Sequence, residues 1–274
     1  MKKIGLNILL LSILYTSSVY GQDKDRNLTF TVSGISFEMI FVNSGTFLMG
    51  CPEERKDCYE NEMPAHKVTL FNFYMGKYEV TQKLWHAVTK TTAKQQFRLL
   101  NLASPFGEGD DLPMYYINYK DCIAFCDRLN KLLSNQLPKG YKFSIPTEAQ
   151  WEYAAGGGNK SKGYKYSGSN NIEDVSWYSE NSGDKTHEVG TKAANELGFY
   201  DMSGNIAEWC RYGDYDYSNT PATNPMNPNK DFVYIFRGGS FSHSMIPSRV
   251  YNRRTANGTI HYSNIGLRLC LSQY

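Results

Sequence analysis

The stretch between Gly158 and the C-terminus has no sustained hydrophobic period, and this feature most limits what the chain can fold into. Short apolar pieces alternate there with turns of Gly, Asn, Ser and Asp, with aromatic residues spread among them. No internal repeat or low-complexity block is present. The pattern is typical of a compact, irregular α+β domain and not of a linker. Long irregular loops of this kind need internal hydrogen bonds, bound ions or disulfides.

Regular elements are predicted mainly before Gly158. Strand-like runs cover residues 37–42, 46–50 and 68–74, and an Asn-Ser-Gly turn joins the first two. We therefore expect a hairpin near the start of the fold and one further strand after it.

Three helices have recognisable starts. Thr81 and Asn118 each precede apolar residues at helical spacing. Thr147 is followed three residues later by Gln150, which is the capping-box pattern, and Gly156 begins a glycine run that ends this helix.

The N-terminus has the features of a secretory signal. Lys2 and Lys3 precede an apolar run over residues 4–15, which is too short to span a bilayer, and small residues follow up to Gly21. A buried N-terminal helix is the alternative interpretation. We predict a signal peptide over residues 1–21, a flexible lead-in over 22–34 and one domain over 35–274. The mature protein is expected to be secreted or periplasmic, with no membrane insertion.

The charge balance excludes some classes of partner. The chain has 29 basic and 27 acidic side chains, and removal of the signal with its two lysines leaves 27 of each sign. A formally neutral protein is not expected to bind nucleic acid or a membrane surface through non-specific electrostatics.

Six cysteines in an exported chain favour disulfides. Cys51 and Cys58 flank a short polar loop and are predicted to close it. Cys122 and Cys126 lie one helical turn apart and should face the same side. A bridge between Cys210 and Cys270 is one of several possible pairings. A zinc site is a weaker alternative, because no histidine stands at ligand spacing to these cysteines.

Six motifs in order resemble the formylglycine-generating enzyme family, also called the sulfatase-modifying factor family. They include Tyr-Glu-Val-Thr-Gln from Tyr78, Pro-Thr-Glu-Ala-Gln-Trp from Pro146, and Gly-Asn-Ile-Ala-Glu-Trp from Gly204. The resemblance covers nearly all of the predicted mature chain and implies a mixed α+β fold of low regular content, akin to the C-type lectin fold. The matching segments are residues 47–50, 78–85, 112–122, 145–154, 195–209 and 237–270.

Two positions depart from the family pattern. Active members carry two reactive cysteines after the Arg-Gly-Gly-Ser segment, and this chain has His243 and Ser248 there. The resemblance implies copper(I) held by two thiolates, which an imidazole and a hydroxyl do not replace. We therefore expect no copper and no catalytic cysteine. His243 and Ser248 either form a base and nucleophile or, as we favour, are polar residues lining a pocket.

A structural calcium ion is expected near Gly204. Asp201 and Glu208 place two carboxylates around a turn, and hard cations need several oxygen ligands. A carboxylate-capped turn is the alternative. The resemblance assigns the ion to the side chains of Asp201 and Glu208 and to the carbonyls of Gly204 and Ile206.

A ligand-binding face is predicted close to the C-terminus. It would comprise His243, Ser248, Arg249, Tyr251, Arg253 and Arg254, residue types that suit a carboxylate, sulfate or glycan. At least one of these arginines is expected to pair with the region of Glu208 instead. Trp151, Trp177 and Trp209 are expected in the core.

Two functions remain open from the sequence. The first is an exported binding module that lacks formylglycine-generating oxidase activity and recognises an unknown protein, peptide or glycan. The second is an enzyme of the same superfamily that performs an altered oxidative modification. Metal content distinguishes them, because the second requires copper or iron in stoichiometric amount.

Overall fold

The computed structural model of the protein describes residues 26–101, 105–213, 215–226 and 232–273. The predicted signal peptide and cleavage point lie outside the described residues. Twelve strands and five helices are present in this part of the chain. The strands are β1 Leu28–Val32, β2 Ile35–Val42, β3 Gly45–Met49, β4 His66–Leu70, β5 Phe73–Gly76, β6 Tyr141–Ser144, β7 Ala207–Gly213, β8 Ala222–Thr223, β9 Val233–Arg237, β10 Arg254–Asn257, β11 Ile265–Gly266 and β12 Cys270–Gln273. The helices are α1 Gln82–Thr89, α2 Ala93–Leu99, α3 Tyr119–Leu132, α4 Glu148–Ala155 and α5 Ile172–Val175.

The strands form three sheets. A five-stranded sheet has the order β1-β2-β5-β12-β6, a four-stranded sheet the order β10-β9-β7-β11, and a three-stranded sheet the order β3-β4-β8. Strand β12, at the C-terminal end, pairs antiparallel with both β5 and β6. Strand β12 is therefore an internal strand of the largest sheet, and the helices and sheets together confirm the predicted α+β fold.

Helices α1 and α3 cover one large apolar core. The rings of Trp85 and Phe125 stack there with centroids 5.2 Å apart. A second core surrounds Trp151 of α4, and both Trp151 and Trp209 are fully buried as expected. Trp177 is only half-buried and stacks on His187 instead. Cys122 and Cys126 both face the first core.

The three predicted helix starts are confirmed. The side chains of Thr81, Asn118 and Thr147 each accept a hydrogen bond from the third residue of their helix, at Leu84, Asp121 and Gln150 respectively. Helix α2 was not predicted. It begins after Thr92, which forms a capping box with Gln95.

Two strand predictions are corrected. The expected lead-in over 22–34 contains β1, which pairs with β2 because Phe30 and Val32 alternate into the core. The single strand expected over 68–74 is two strands in different sheets. The chain leaves β4 at Phe71, which is 66% exposed, and enters β5 at Phe73, which is buried.

Among the residues that the structure describes, no helix has the length and apolar character required to cross a bilayer.

Candidate functional site at the C-terminal segment

A tight glycine turn follows β9 and lies directly against Ser248. After β9 the chain turns at Gly238 and Gly239, both with positive φ (93° and 70°). A Cβ atom on Gly239 would lie 2.7 Å from Ser248 Oγ and 2.9 Å from Ser248 N, so only glycine allows this approach. The turn therefore packs directly against the short 3-10 helix Ile246–Ser248.

His243 is held as a neutral ring. Its Nδ1 lies 2.9 Å from Ser240 Oγ, and its Nε2 lies 3.3 Å from the amide nitrogen of Asn264. Burial, together with the nearby charge of Arg254, lowers the pKa of His243 to about 4. Since the amide of Asn264 donates to Nε2, the proton belongs on Nδ1, and both ring nitrogens are engaged.

Ser248 does not pair with His243. The residue is fully buried, and among the described residues its Oγ has no hydrogen-bond partner. Its backbone carbonyl accepts a hydrogen bond from Ser203 Oγ at 2.7 Å. A base–nucleophile dyad needs the two side chains within hydrogen-bond reach, and the ring of His243 bonds Ser240 instead.

Most of the predicted ligand-binding face is buried. Arg249 donates to Glu62 Oε1 at 2.9 Å and also contacts Asp57, while Tyr251 donates to Asp57 at 3.2 Å. Arg253 forms a two-point pair with Glu148 at 2.8 and 2.9 Å. These guanidinium groups neutralise buried carboxylates. They are therefore not free to bind a ligand, as a recognition face would need. Of the predicted arginines, only Arg254 is exposed.

The arginine that pairs with Glu208 is Arg268, which corrects the earlier expectation. Arg268 Nε donates to the two carboxylate oxygens of Glu208 at 2.9 and 3.1 Å. Trp151 Nε1 donates to Glu208 Oε2 at 2.6 Å. The carboxylate of Glu208 is therefore held inside the core by two donors, Arg268 and Trp151.

The loop from Asp201 to Glu208, where calcium is predicted, lies among more buried carboxyl groups than buried arginines. Glu79, Asp201 and Glu208 are all buried around the single guanidinium of Arg268. Burial raises the pKa of Asp201 to about 6, and the charge of Glu208 adds to the effect while the Gly190 amide and Arg268 oppose it. Burial and the neighbouring carboxylates raise the pKa of Glu79 well above its usual range.

Glu79 holds the loop from Asp201 to Glu208 in place. Its carboxylate accepts hydrogen bonds from the backbone of Ile206 at 3.0 Å and from the side chain of Asn205 at 2.8 Å. Asp201 accepts a hydrogen bond from the backbone of Gly190 at 2.7 Å. Carboxylate and carbonyl oxygens are the donor types that a hard cation prefers. Asp201, Gly204 and Ile206 would hold the ion with Glu208, although both carboxylate oxygens of Glu208 already accept hydrogen bonds from Arg268.

The predicted disulfide is present. Cys51 and Cys58 are joined, with their Cα atoms 5.9 Å apart. Cys210 and Cys270 do not form the bridge that we considered, since both are buried free thiols, as are Cys122 and Cys126. Burial raises the pKa of each of these four thiols.

Sequence reasoning missed the buried acids that organise the site. Glu62, Glu79, Glu148 and Glu152 are all at most 3% exposed, and each faces a buried donor. A signal was available at Glu79, because it lies in a resemblance motif next to apolar Val80. Glu62 had no such signal, since it follows a run of exposed charged residues.

The fold and the site together define an irregular α+β domain whose C-terminal segment carries a polar, largely buried site. Residues 32–273 match the sulfatase-modifying factor enzyme 1-like domain. The chain belongs to this family, as the ordered motifs predicted.

Proteins with similar sequences have names that state different functions. Chaperone protein LppX of Paenibacillus barcinonensis is 33% identical, with 77% of this chain and 81% of that protein covered. The formylglycine-generating enzyme of Mus musculus is 24% identical, with 74% of this chain and 66% of that protein covered. Serine/threonine-protein kinase pkn1 of Chlamydia caviae is also similar at 24% identity; the match covers 84% of this chain but spans only 37% of that protein.

The fold is also similar to that of a solved structure. Treponema denticola variable protein 1 has a TM-score of 0.76 at 28% identity, covering 89% of this chain and 98% of that chain. The similarity confirms the family fold over nearly the whole described chain.

Proposed function

We propose that this chain is an exported binding module of the sulfatase-modifying factor family without formylglycine-generating oxidase activity. The observation that carries the proposal is the chemistry at residues 243 and 248. An imidazole engaged at both nitrogens and a buried hydroxyl stand where the family pattern has two thiols. Neither group supplies the soft sulfur ligands that copper(I) prefers.

The neutral state of His243 also disfavours acid–base chemistry near physiological pH. A pKa of about 4 lies far from the value at which a general base is most effective. The buried hydroxyl of Ser248 has no base beside it among the described residues. The site therefore fits a structural role for these two side chains, with exposed neighbours available for recognition.

A binding role is also in keeping with the relatives. LppX is named a chaperone, and the similar solved structure is named a variable protein. We infer that the partner is a protein, peptide or glycan and contacts the face around Arg254. Export is inferred from the charged and apolar pattern of residues 1–21.

We further propose that calcium stabilises the loop from Asp201 to Glu208. A divalent ion would offset the excess of buried carboxylates around Arg268. The ion would supply structural charge compensation, and the four residues assigned by the resemblance would hold it.

Aldehyde formation tests the absence of oxidase activity. The purified chain is incubated with copper and a Cys-x-Pro-x-Arg peptide, next to the mouse enzyme as a positive control. We expect no formylglycine above background, and its formation would overturn the proposal. Metal analysis of the purified protein covers the altered-enzyme alternative, which requires stoichiometric copper or iron.

Export has a separate test. The mature protein is expected to begin at Gln22, which mass spectrometry of its N-terminal peptide would show. Recovery of the uncleaved chain from the cell interior would contradict export but not the binding role.

A further inference from the structure

A cavity of about 390 Å³ opens beside the C-terminal segment. Tyr59 and Asn61 line it together with Asn252, Arg253, Arg254 and Thr255. These two segments are nearly two hundred positions apart in the chain, so only the fold brings them together. The side chains that line the cavity determine which class of ligand it can bind.

Arg254 provides an uncommitted positive charge. The other arginines of this region, Arg237, Arg249 and Arg253, each pair with a buried carboxylate. Arg254 is exposed, and no acidic partner for it is found among the described residues. A guanidinium at the edge of a cavity is well suited to a carboxylate, which it can bind through two parallel hydrogen bonds.

Asn252 provides an acceptor that lacks a donor. The residue is 2% exposed, and its Nδ2 donates to Glu62 Oε1. Since a carboxylate only accepts, this bond fixes which end of the amide faces Glu62. The other end, Oδ1, is buried and has no hydrogen-bond partner in the part of the chain described. Such an atom is costly unless an O–H or N–H group is supplied to it.

The rest of the lining is polar. Asn61 and Thr255 add an amide and a hydroxyl, and the ring of Tyr59 is 51% exposed. Pro247 is the one aliphatic residue that lines this cavity. Peptide side chains are usually anchored in apolar pockets. A ligand rich in hydroxyl groups matches this lining better.

We propose that this cavity binds the acidic end of a saccharide, with a sugar carboxylate on Arg254 and a hydroxyl group toward Asn252. The proposal rests on the binding function proposed above and names the ligand class of that face. It requires no catalytic step.

Calorimetric titration with two probes tests the proposal. The probes are trigalacturonate and a glucuronate-containing disaccharide, with maltotriose as the neutral comparison. We expect at least one acidic probe to bind and maltotriose not to bind. Arg254→Gln should weaken the binding about tenfold or more, because it removes a charge-assisted contact. Arg98→Gln, an exposed arginine on α2, should leave the binding unchanged.

Three results would overturn the assignment. The first is no binding of either acidic probe to the wild-type protein. The second is equal loss in Arg254→Gln and Arg98→Gln, which would indicate non-specific charge attraction. The third is full competition by an acidic peptide at equal concentration, which would favour a peptide ligand. Thermal melts of both variants confirm folding, and none of these results depends on the aldehyde assay.

Discussion

Four buried arginines each face a buried carboxylate, and these pairs dominate the chemistry around the C-terminal segment. A pair of this kind adds little net stability over an apolar pair, but removing one partner leaves an isolated buried charge. The arrangement thus explains why residues that suit ligand recognition by type are fixed inside the protein. The pairs are Arg237 with Glu152, Arg249 with Glu62, Arg253 with Glu148 and Arg268 with Glu208.

At the residue scale, we predict that His243 makes stability depend on pH. Its pKa falls from 6.5 to about 4 on folding, because burial disfavours the charged ring. The stabilisation is present above pH 6.5 and is lost as the pH falls toward 4, since the unfolded chain then binds the proton first. The shift corresponds to at most about 3 kcal/mol.

Urea unfolding of His243→Asn at pH 7 and at pH 4 measures this effect. Wild type should lose more unfolding free energy than the variant over that range. His86→Asn, at an exposed histidine on α1, serves as the control and should behave as wild type. Identical pH profiles for wild type and His243→Asn would show that the ring is not held neutral.

At the scale of single elements, local hydrogen bonds define where the helices begin. Thr147 Oγ1 accepts a hydrogen bond from the backbone N–H of Gln150 at 3.2 Å, and the backbone N–H of Thr147 donates to Gln150 Oε1 at 2.9 Å. We predict that Thr147→Ala lowers the unfolding free energy by about 1 kcal/mol, as loss of an N-cap does elsewhere. Thr220→Ala, at an exposed threonine, should change it by less than about 0.5 kcal/mol. Chemical denaturation measures both, and equal effects would contradict the cap.

The disulfide loop is a second element with a measurable contribution. Closing residues 51 to 58 restricts the unfolded chain and should stabilise the fold by about 2 to 3 kcal/mol. The double variant Cys51→Ser with Cys58→Ser should lose this amount in urea unfolding. Thiol titration in denaturant should find four free thiols before reduction and six after it. Fewer than four before reduction would reveal a second bridge.

At the scale of the whole molecule, the proposed calcium ion lies where several segments meet. The carboxylates of Asp201 and Glu208 belong to one loop, Glu79 comes from the segment before α1, and all three lie near Arg268 of the C-terminal segment. We predict that calcium raises the melting temperature of wild type above its value in chelator. Asp201→Ala should melt lower than wild type in calcium, and chelator should not lower it further.

Scanning calorimetry with and without chelator measures these shifts. Asp127→Ala removes an exposed acid from α3 and should keep the full calcium effect. A wild-type protein that melts no lower in chelator than in calcium would refute the structural ion. If calcium still stabilised Asp201→Ala, other residues would have to bind the ion.

The sequence predicted elements whose signal is local. The caps at Thr81, Asn118 and Thr147 and the bridge from Cys51 to Cys58 were predicted because each depends on residues close together in the chain. Strand β1 was missed because it has only two buried residues, Phe30 and Val32, with Thr31 between them, and the five-residue run resembles a frayed end. Strand β1 forms because it pairs with β2.

What the sequence alone determined is the family and the irregular α+β fold, since both follow from ordered motifs. The tertiary structure decided which charged residues are buried. Arg249 and Glu62 are 187 positions apart, and Arg253 and Glu148 are 105 apart. Burial of a charge depends on whether folding supplies a partner for it, and no local pattern encodes a partner so distant in the chain.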